Sequence, residues 1–544
     1  MRRKLAPGWF VVPFALSSAI IVFALMRAGK TAHAAPGIGS GCCGLDPAVA
    51  ERELVFPYYS LQNGYSSTLN LVSDSPHPLN FIIALHDLSG APLLSNNMTI
   101  EPGAKLAIDM RTMIQGLGED PDGSFGQGSI QIYFSGTIMP LVGQVTMTNP
   151  ALHLSQEAEM VENDPGRTDI PPVLSGAWWG LSAGREADVM VANTSANTIT
   201  AAVFLDFNGK RRQSKPLVFN PNETKVISIP QLLGDMNASP SEVPQGGITI
   251  IQIGPNPSLI AQGRVTDPVT GFSSTLEFPD PARQEASALD AVGLPIGTPP
   301  TGTPYAGDGY FTPHVIARNL LGTPQAMTVT VEYPKSAAWS STNGPGEQAR
   351  PLVRYVGPVK KGEKDPNEAL DPPPHPDPSS LTGEFTLPPL PVGPYSTVDY
   401  SLYGFIPALP LPIAFCTIRI QYSGAPGSMI AQVSSVDERQ DLVVDARTMN
   451  EGDGWAGSGA NPWHLDKNTE SILFLSDEGT MPVQIGLSIT AGGVTYYLTE
   501  LQLAAGETRA IDIRQLRDAG VADFKGHVIP RNVSGRLGDV DSPR

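Results

Sequence analysis

The chain has 544 residues, of which 41% are hydrophobic, and it carries a formal net charge of −18 at pH 7. This length gives room for about three to five domains, and the hydrophobic content excludes an intrinsically disordered protein. The acidic excess argues against nucleic acid or anionic lipid as a partner. The 55 glycines and 53 prolines favour many turns and short strands over helices.

The N-terminus has the pattern of an export signal. Arg2-Arg3-Lys4 forms a basic region, Phe10 to Met26 an apolar core, and Ala32-His33-Ala34 a small-x-small cleavage site. The pattern predicts a signal peptide over residues 1–34 and a linker over residues 35–53. The alternative is an uncleaved membrane anchor, which Pro13 inside the apolar core disfavours.

Cleavage would release an acidic protein outside the cell. Residues 1–34 contain five basic residues and no acidic one, so 30 basic and 53 acidic residues remain, a net charge of −23. We therefore expect an extracellular or cell-surface location, with no membrane insertion after signal cleavage.

Three cysteines are too few for a disulfide-stapled scaffold. Cys416 is predicted to be buried at the start of a strand. The alternative is a disulfide between Cys416 and either Cys42 or Cys43, which export would permit.

A short motif recurs three times along the chain: two apolar residues, a small residue and a glutamine. Its copies are Leu141 to Val145, Leu259 to Gly263 and Met429 to Val433. An alternating apolar segment closed by a turn precedes each copy, as in Ile130 to Phe134. We interpret each pair as a β-hairpin that ends a repeated module.

Other elements recur in the same order before each motif. An aromatic start is followed by a half-buried strand, a longer strand with period-two apolar spacing, and two short strands joined by a turn. We align the four copies on the residue that ends the second of these short strands. This residue is Asp109, Ser228, Asp399 or Asp512.

The repeat predicts an all-β fold of about four tandem β-sandwich modules, because each copy offers about six or seven short strands in roughly 110 residues. The predicted modules cover residues 54–150, 172–282, 309–440 and 463–544, with Pro/Gly-rich linkers between them. We expect semi-flexible beads on a string. Within the linkers, Ser274 to Phe278 and Asp441 to Asp445 are candidate edge strands.

The third and fourth copies depart from the pattern. A proline-rich insertion over residues 334–384 lengthens the third copy. It includes Asp371 to Pro378, which is predicted to be an extended polyproline segment. The fourth copy is predicted to be incomplete, because Pro530 interrupts its expected strand after Ile529 and no glutamine motif follows. The alternatives are that the last sandwich lacks an edge or that the natural chain continues beyond Arg544.

This order of elements, with Gly64 to Val72 as its most telling piece, resembles the tandem Ig-like and fibronectin-III-like modules of bacterial secreted and surface proteins. The resemblance spans nearly all of residues 54–529. It implies immunoglobulin-like sandwiches in a surface or adhesive setting. It does not specify a partner, since such modules serve as spacers, binders and enzyme appendages alike.

The recurring aspartates and serine invite a catalytic interpretation, but a structural one explains them better. Asp and Ser are both good helix N-caps, and short helical turns follow Asp109, Ser228 and Asp512. We therefore predict caps at these positions.

The recurring glutamines have two interpretations as well. Gln144, Gln262 and Gln432 are predicted to satisfy backbone groups at a sandwich edge, as polar groups near buried strands must. The alternative is a ligand-binding face repeated in three modules.

Two kinds of ligand site are candidates. Glu119, Asp120 and Asp122 cluster oxygen ligands for calcium in one loop, although a solvated turn is the default because the ligand spacing of a known calcium loop is missing. Trp178 and Trp179 are a candidate contact surface for an extracellular protein or glycan, with core packing as the alternative.

The sequence contains no His-Glu-x-x-His and no Gly-x-x-x-x-Gly-Lys-[Ser/Thr] phosphate-binding loop. We expect no enzymatic activity and no cofactor other than calcium. The leading hypothesis is an exported, non-enzymatic surface protein acting as a structural or adhesive spacer. The alternatives are a glycan- or protein-binding array and a secreted hydrolase that uses the insertion of the third module.

Overall fold

The computed structural model describes residues 50–135, 141–300, 309–335 and 382–450, apart from isolated positions, and shorter stretches between 460 and 539. The predicted signal peptide, most of the linker over 35–53 and most of the insertion over 334–384 lie outside the described residues. The sheets are antiparallel, which confirms the all-β prediction. None of the described helices has the length and apolar character needed to cross a bilayer.

The first pair of sheets, which we call unit 1, contains β1 (Arg52–Ser60), β2 (Ser66–Ser73), β3 (Leu79–Asp87), β4 (Pro92–Leu94), β5 (Met98–Ile100), β6 (Lys105–Asp109), helix α1 (Met110–Gly116), β7 (Gln127–Phe134), β8 (Leu141–Asn149), β9 (Leu154–Glu159), β10 (Val161–Asp164) and β11 (Arg167–Thr168). Its larger sheet has the order β11-β10-β1-β7-β3-β4, with β5 beside β3, and its smaller sheet has the order β6-β2-β8-β9. Leu69, Phe81 and Ile132 belong to the core that the two sheets share.

Unit 2 contains β12 (Val173–Trp178), β13 (Glu186–Asn193), β14 (Ile199–Phe207), β15 (Lys210–Gln213), β16 (Leu217–Phe219), β17 (Thr224–Ser228), helix α2 (Ile229–Asp235), β18 (Gly246–Ile253), β19 (Leu259–Thr266) and β20 (Ser273–Leu276). Its larger sheet has the order β12-β18-β14-β15, with β16 beside β14, and its smaller sheet has the order β17-β13-β19-β20. Val189, Val203 and Ile250 lie in its core.

Unit 3 contains β21 (Ala288–Leu294), β22 (Thr312–Asn319), β23 (Gln325–Pro334), β24 (Thr382–Thr386), β25 (Leu390–Val392), β26 (Thr397–Ser401), β27 (Cys416–Tyr422), β28 (Met429–Asp437), β29 (Leu442–Ala446) and β30 (Met449–Asn450). The larger sheet has the order β24-β23-β27-β21-β30, with β25 beside β23, and the smaller one β26-β22-β28-β29. Pro334 pairs with Thr382, so the predicted insertion leaves and re-enters the sheet at neighbouring positions.

The described stretches of unit 4 contain β31 (Ala460–His464), β32 (Ile472–Ser476), β33 (Val483–Ile485), β34 (Leu487–Ala491), β35 (Val494–Tyr497), β36 (Leu501–Leu503), β37 (Thr508–Asp512) and β38 (Ser534–Asp539). They form one four-stranded sheet, β31-β38-β34-β35, and two strand pairs, β32-β37 and β33-β36. The strand expected around Ile529 lies outside the described residues, and β38 occupies the place beside β31.

Units 1, 2 and 3 share one pattern of strand pairing. In each of them the seventh strand lies between the first and the third, and the second strand lies between the sixth and the eighth. The seventh strands are β7, β18 and β27; the second strands are β2, β13 and β22. The shared pairing explains the recurrence of apolar patterns, because a strand between two neighbours is buried on its core face in every unit.

The predicted hairpin at the end of each module is wrong. β7 pairs with β1 and β3, whereas β8 pairs with β2 and β9, so the turn between them crosses from one sheet to the other. The corresponding strands of units 2 and 3 are separated in the same way. An alternating strand, a turn and a second alternating strand have the same sequence pattern whether the chain stays in its sheet or crosses the core.

The alignment of the third copy on Asp399 is wrong by two residues. Asp109 lies opposite Thr68 in unit 1, and Ser228 lies opposite Asp188 in unit 2. The equivalent position in unit 3 is Ser401, which lies opposite His314. Strand side chains alternate with period two, so a slip of two residues keeps every residue on its correct face and leaves no trace in the pattern.

The predicted caps are present at both described helices. Asp109 Oδ1 accepts a hydrogen bond from the backbone N–H of Thr112 at 2.8 Å, and Ser228 Oγ accepts one from that of Gln231 at 3.4 Å. The exchange of Asp for Ser therefore reflects capping, as predicted.

The segments between the predicted modules are parts of the sheets. The sequence predicts edge strands at Ser274 to Phe278 and at Asp441 to Asp445, and β20 and β29 confirm a strand at each place, with β20 ending at Leu276. β9 and β10 extend the two sheets of unit 1. The expectation of semi-flexible beads on a string is therefore wrong for these connectors, because the hydrogen bonds of the β-sheets fix their backbone groups.

A buried asparagine ends the second strand of units 2 and 3. Asn193 Nδ2 donates to the carbonyls of Asn197 and Asn220 at 2.7 and 2.8 Å, and its Oδ1 accepts from the N–H of Ser195 at 3.0 Å. Asn319 makes the same set of bonds to Thr323, Gly393 and Leu321. Each amide thus holds two loops at one end of its sandwich.

Replacing Asn193 by alanine should lower the free energy of unfolding by about 2–4 kcal/mol, because buried carbonyl and N–H groups lose their partner. Asn197→Ala is the matched control on the same loop, since its side chain is exposed; it should change stability by no more than about 0.5 kcal/mol. Urea denaturation followed by tryptophan fluorescence measures both. Equal stabilities of the two variants would contradict this role of Asn193.

Candidate functional site: the interfaces between the units

The second strands of units 2, 3 and 4 present their outer faces to the larger sheet of the preceding unit. Met190 on β13 packs with Tyr58 of unit 1, and Ile316 on β22 belongs to the core cluster of unit 2. Phe474 on β32 meets Phe415 of unit 3 edge to face, with ring centroids 5.2 Å apart. The same face of the repeat therefore makes three successive interfaces.

The interface between units 1 and 2 is mainly apolar. Val55, Ile170, Ala192 and Ile260 form a buried cluster across it. Gln131 Nε2 donates to the carbonyl of Thr194 at 3.0 Å, which adds one buried polar contact between the units. Burial of apolar groups from both units resists their separation.

One histidine lies on the sheet face of unit 1 that unit 2 covers. His86 follows the core residue Leu85, so alternation along β3 places it on the outer face. It is 3% exposed, and its Nδ1 has no hydrogen-bond partner in the described part of the chain. Burial lowers the pKa of His86 to about 4, while nearby Asp87 opposes the shift. The ring is therefore neutral at pH 7.

The interface between units 2 and 3 contains a fully buried arginine. Arg318 on β22 is 0% exposed. Its Nη1 donates to the carbonyls of Gly176 and Ile248, each at 2.6 Å, and its Nη2 donates to Asp206 Oδ2 and Thr249 Oγ1, each at 2.6 Å. All four acceptors belong to the larger sheet of unit 2, so this one side chain from unit 3 joins three of its strands.

Asp206 balances the buried charge. Its carboxylate also accepts hydrogen bonds from Arg211 Nε at 2.9 Å and Nη2 at 2.8 Å. Burial lowers the pKa of Arg318 to about 10, with Asp206 opposing the shift, so the guanidinium remains charged at neutral pH. A buried charge of this kind is tolerated only where a countercharge and hydrogen bonds compensate for the loss of water, and here both Nη atoms of Arg318 have such partners.

A second polar centre of this interface is Asp445 on β29. Its carboxylate accepts hydrogen bonds from Ser274 Oγ at 3.1 Å and from the N–H of Thr275 at 2.7 Å, both in unit 2. Ser434 Oγ of unit 3 donates to it at 2.5 Å. Burial raises the pKa of Asp445, and these hydrogen bonds oppose the rise. The edge strands β20 and β29 are thus joined through one carboxylate.

The repeated glutamines behave differently in different units. Gln432 Nε2 donates to the carbonyl of Thr275 at 2.9 Å, and its Oε1 accepts from the N–H of Glu277 at 3.2 Å. It satisfies backbone groups at the edge of the neighbouring unit, which confirms the prediction at this position. Both amide atoms of Gln262 are buried without a hydrogen-bond partner among the described residues, so the role does not recur there.

A His–Asp pair lies in the same interface. His314 Nδ1 and Asp399 Oδ1 are 2.7 Å apart, and the imidazole is tilted against the indole of Trp179, with ring centroids 5.1 Å apart. A catalytic triad requires a hydroxyl or thiol within hydrogen-bond reach of the other ring nitrogen. In the described part of the chain none bonds Nε2, and the pair is a contact between units 2 and 3.

The predicted calcium ligands do not converge in the structure. Asp120 Oδ1 accepts from the N–H of Asp122 at 3.0 Å, and the carboxylate of Asp122 pairs with Arg111 at 3.0 Å. Glu119 is exposed. Within the described residues, no group of three His, Cys, Asp or Glu side chains is arranged to hold a metal ion.

Trp178 and Trp179 lie in the core cluster of unit 2, with exposed fractions of 0% and 4%. Trp179 Nε1 donates to Ser274 Oγ at 3.1 Å. The ring of Trp178 packs against Gly246, where a Cβ would lie 2.2 Å from the indole. Both rings are therefore packed in the core. This was the alternative to the interpretation of Trp178 and Trp179 as a contact surface.

Cys416 is the first residue of β27 and is fully buried as a free thiol, which confirms its prediction. Its apolar surroundings raise the pKa of the thiol well above its usual range. Cys42 and Cys43 lie outside the described residues.

The interface residues Arg318 and Asp445 were not singled out in the sequence. The sequence does contain a signal for Arg318. It is a charged residue in a largely apolar strand, at the position that Val72 holds in unit 1 and Ala192 holds in unit 2. A charge at a position that is apolar elsewhere in a repeat indicates a buried partner.

No protein-family model matches the chain, and no curated protein matches it.

Replacing Arg318 by methionine should lower the free energy of unfolding by about 3–5 kcal/mol, because Asp206 and two carbonyls lose a buried donor. Arg283→Met is the control, since Arg283 is 51% exposed and lies 3.5 Å from Asp280; it should cost at most about 1 kcal/mol. The buried tryptophans of unit 2 report the transition in urea. Similar losses for both variants would show that the buried network does not hold the units.

His86 predicts acid sensitivity of the interface between units 1 and 2. The pKa of His86 is about 4 in the folded protein, below the ordinary value of 6.5. The contribution of the neutral ring to the free energy of unfolding is therefore complete above pH 6.5 and is lost as the pH falls from 6.5 through 4. The shift corresponds to about 3 kcal/mol. Unfolding experiments between pH 7 and pH 4 should show this loss in the wild type and not in His86→Phe. The exposed His77 serves as control, so His77→Gln should keep the wild-type pH profile.

Proposed function

We propose that the chain is an exported, non-enzymatic structural protein of the bacterial cell surface, a stiff spacer made of about four tandem Ig-like sandwiches. The spacer holds adhesive or assembly parts of the surface at a fixed distance. The observation that carries the proposal is the buried Arg318 network between units 2 and 3.

This network supports stiffness because rotation of one unit against the other would separate Arg318 from Asp206 and from two backbone carbonyls. Leaving a charge buried without its partner costs several kcal/mol, far above thermal energy. The interfaces at Val55 and at Phe474 extend the same mode of contact to the neighbouring pairs of units. Such contacts suit a protein whose task is to keep its parts in place.

The Ig-like assignment rests on the central strand pairs. In an immunoglobulin sandwich the second strand pairs with the strand that corresponds to the sixth here, and the third with the seventh. Units 1 to 3 have these pairs, while the first and eighth strands have exchanged sheets. We regard the units as an Ig-like variant with swapped terminal strands.

Export is supported by the N-terminal pattern over residues 1–34 and by the net charge of −23 that would remain after cleavage. A large charge of one sign keeps an extracellular protein soluble. No cofactor is part of the proposal.

Distances between spin labels test the stiffness directly. Val269 in unit 2 and Tyr403 in unit 3 are 90% and 66% exposed, which suits Val269→Cys and Tyr403→Cys as labelling sites. Cys42 and Cys43 are replaced by serine, and the buried Cys416 is retained. The protein is recovered from outside the producing cells, so N-terminal sequencing of the same material should show Ala35 as the first residue.

The wild type should give one narrow distance distribution, and Arg318→Met should broaden it at least twofold; Arg283→Met is the matched control. A wild-type distribution as broad as that of Arg318→Met would overturn the stiff spacer. Retention of the protein inside the cells would overturn the surface location.

A further inference from the structure

The outer face of the second strand of unit 1 is buried. Leu69 and Leu71 of β2 belong to the core of unit 1, so alternation along the strand places Asn70 and Val72 on the outer face. Asn70 is 9% exposed and Val72 is 1% exposed. In units 2, 3 and 4 the preceding unit covers this face. Another part of the protein therefore covers it in unit 1.

Unit 4 supplies the cover. Its first strand, β31, contacts β2 and β8 of unit 1, and its seventh strand, β38, contacts β6. The same combination of strands meets between units 2 and 3, where β12 contacts β22 and β28, and β18 contacts β26. The contact of unit 4 with unit 1 thus repeats the geometry of an interface between consecutive units, with unit 4 in the place of the preceding unit.

One position on the sixth strand links a unit to the unit before it. This position lies four residues before the residue that ends the strand. In unit 2 it is Thr224, whose N–H donates to the carbonyl of Leu88 in unit 1 at 3.2 Å. In unit 4 it is Thr508, whose hydroxyl oxygen lies 2.8 Å from that of Thr417 in unit 3. A hydrogen bond to the preceding unit therefore recurs at this position.

Lys105 occupies the same position in unit 1, opposite Val72. Its Nζ donates to the carbonyl of Trp463 in unit 4 at 3.3 Å. Trp463 lies on β31 and is 4% exposed. Unit 1 thus bonds to unit 4 through the position by which units 2 and 4 bond to their preceding units.

We propose that the outer face of β2, β6 and β8 is an interaction surface for unit 4 of the same chain, so that the four units close into a ring. Each unit then presents its smaller sheet to the larger sheet of the unit before it. Head-to-tail contacts of one kind produce a ring when the successive rotations close. The inference goes beyond the proposed spacer, because it assigns a partner to a surface that no consecutive unit covers.

The closing interface differs from the other three in two ways. Units 1 and 4 are not consecutive, so their contact bears the cost of closing a long loop. The contact also has a polar residue, Asn70, at the position held by Met190, Ile316 and Phe474 in the other units. The fixed contacts among units 1, 2 and 3 lower the cost of closure, because preorganised parts lose less freedom on binding. The closing interface is therefore the one that opens first.

Distances between spin labels in units 1 and 4 test the ring on the full mature chain. Leu94→Cys and Val483→Cys provide labelling sites, because these side chains are 50% and 39% exposed. Cys42 and Cys43 are replaced by serine, and the buried Cys416 is retained. The ring predicts one narrow distance distribution, which an excess of unlabelled protein should leave unchanged. Loss of the narrow distance on such dilution would place the contact between two molecules and would overturn the ring.

Val72→Arg places a bulky charge in the closing interface and should broaden the distribution about twofold, since released units move against each other. Val218→Arg is the matched control, because Val218 lies in unit 2 and is 51% exposed; it should keep the wild-type distribution. Hydrogen exchange of β3 and β7 shows whether unit 1 stays folded in Val72→Arg. If it does not, Lys105→Glu decides, since this half-buried side chain can be replaced without disturbing the core.

A narrow distribution in the wild type and in Val218→Arg, and a broad one in the variants of the closing interface, is the expected result. A broad wild-type distribution, or equal widths in all of these proteins, would overturn the ring. The label pair at Val269 and Tyr403 reports on units 2 and 3 and should stay narrow in Val72→Arg. Narrow distances for that pair and broad ones between units 1 and 4 in the wild type would overturn the ring and leave the stiff spacer intact.

Discussion

The buried charge of Arg318 is the constraint on which the arrangement of units 2 and 3 depends. A guanidinium with 0% exposure is stable only if it keeps all of its acceptors, and these come from three strands of the neighbouring unit. Gly247 makes room for it, because a Cβ at that position would lie 1.9 Å from Arg318 Nε. Asp206 supplies the countercharge, and Arg211 holds Asp206 in place.

One geometry of contact is used with three different chemistries. The outer face of a second strand meets the larger sheet of the preceding unit at each interface, through Met190, Ile316 with Arg318, and Phe474. The first contact is mainly apolar, the second is ionic and the third aromatic. The ionic interface disfavours a mismatched neighbour, since such a pair would bury Arg318 without Asp206.

Local features of the fold were predictable. The strands, the caps at Asp109 and Ser228, the edge strands β20 and β29 and the buried Cys416 follow from alternation, propensity and burial of nearby residues. The pairing of strands was not predictable, because the same pattern serves a hairpin and a crossing between sheets. The alignment on Asp399 failed for a related reason, since a period of two cannot reveal a slip of two residues.

The sequence by itself determined an all-β chain with a repeated order of strands, because side-chain alternation is a property of each strand alone. Only the tertiary structure decided which strands are neighbours and which residues meet between units. Arg318 illustrates the difference: its acceptors lie between 69 and 142 residues away along the chain. Contacts at such separations depend on how sheets stack, and no local pattern encodes them.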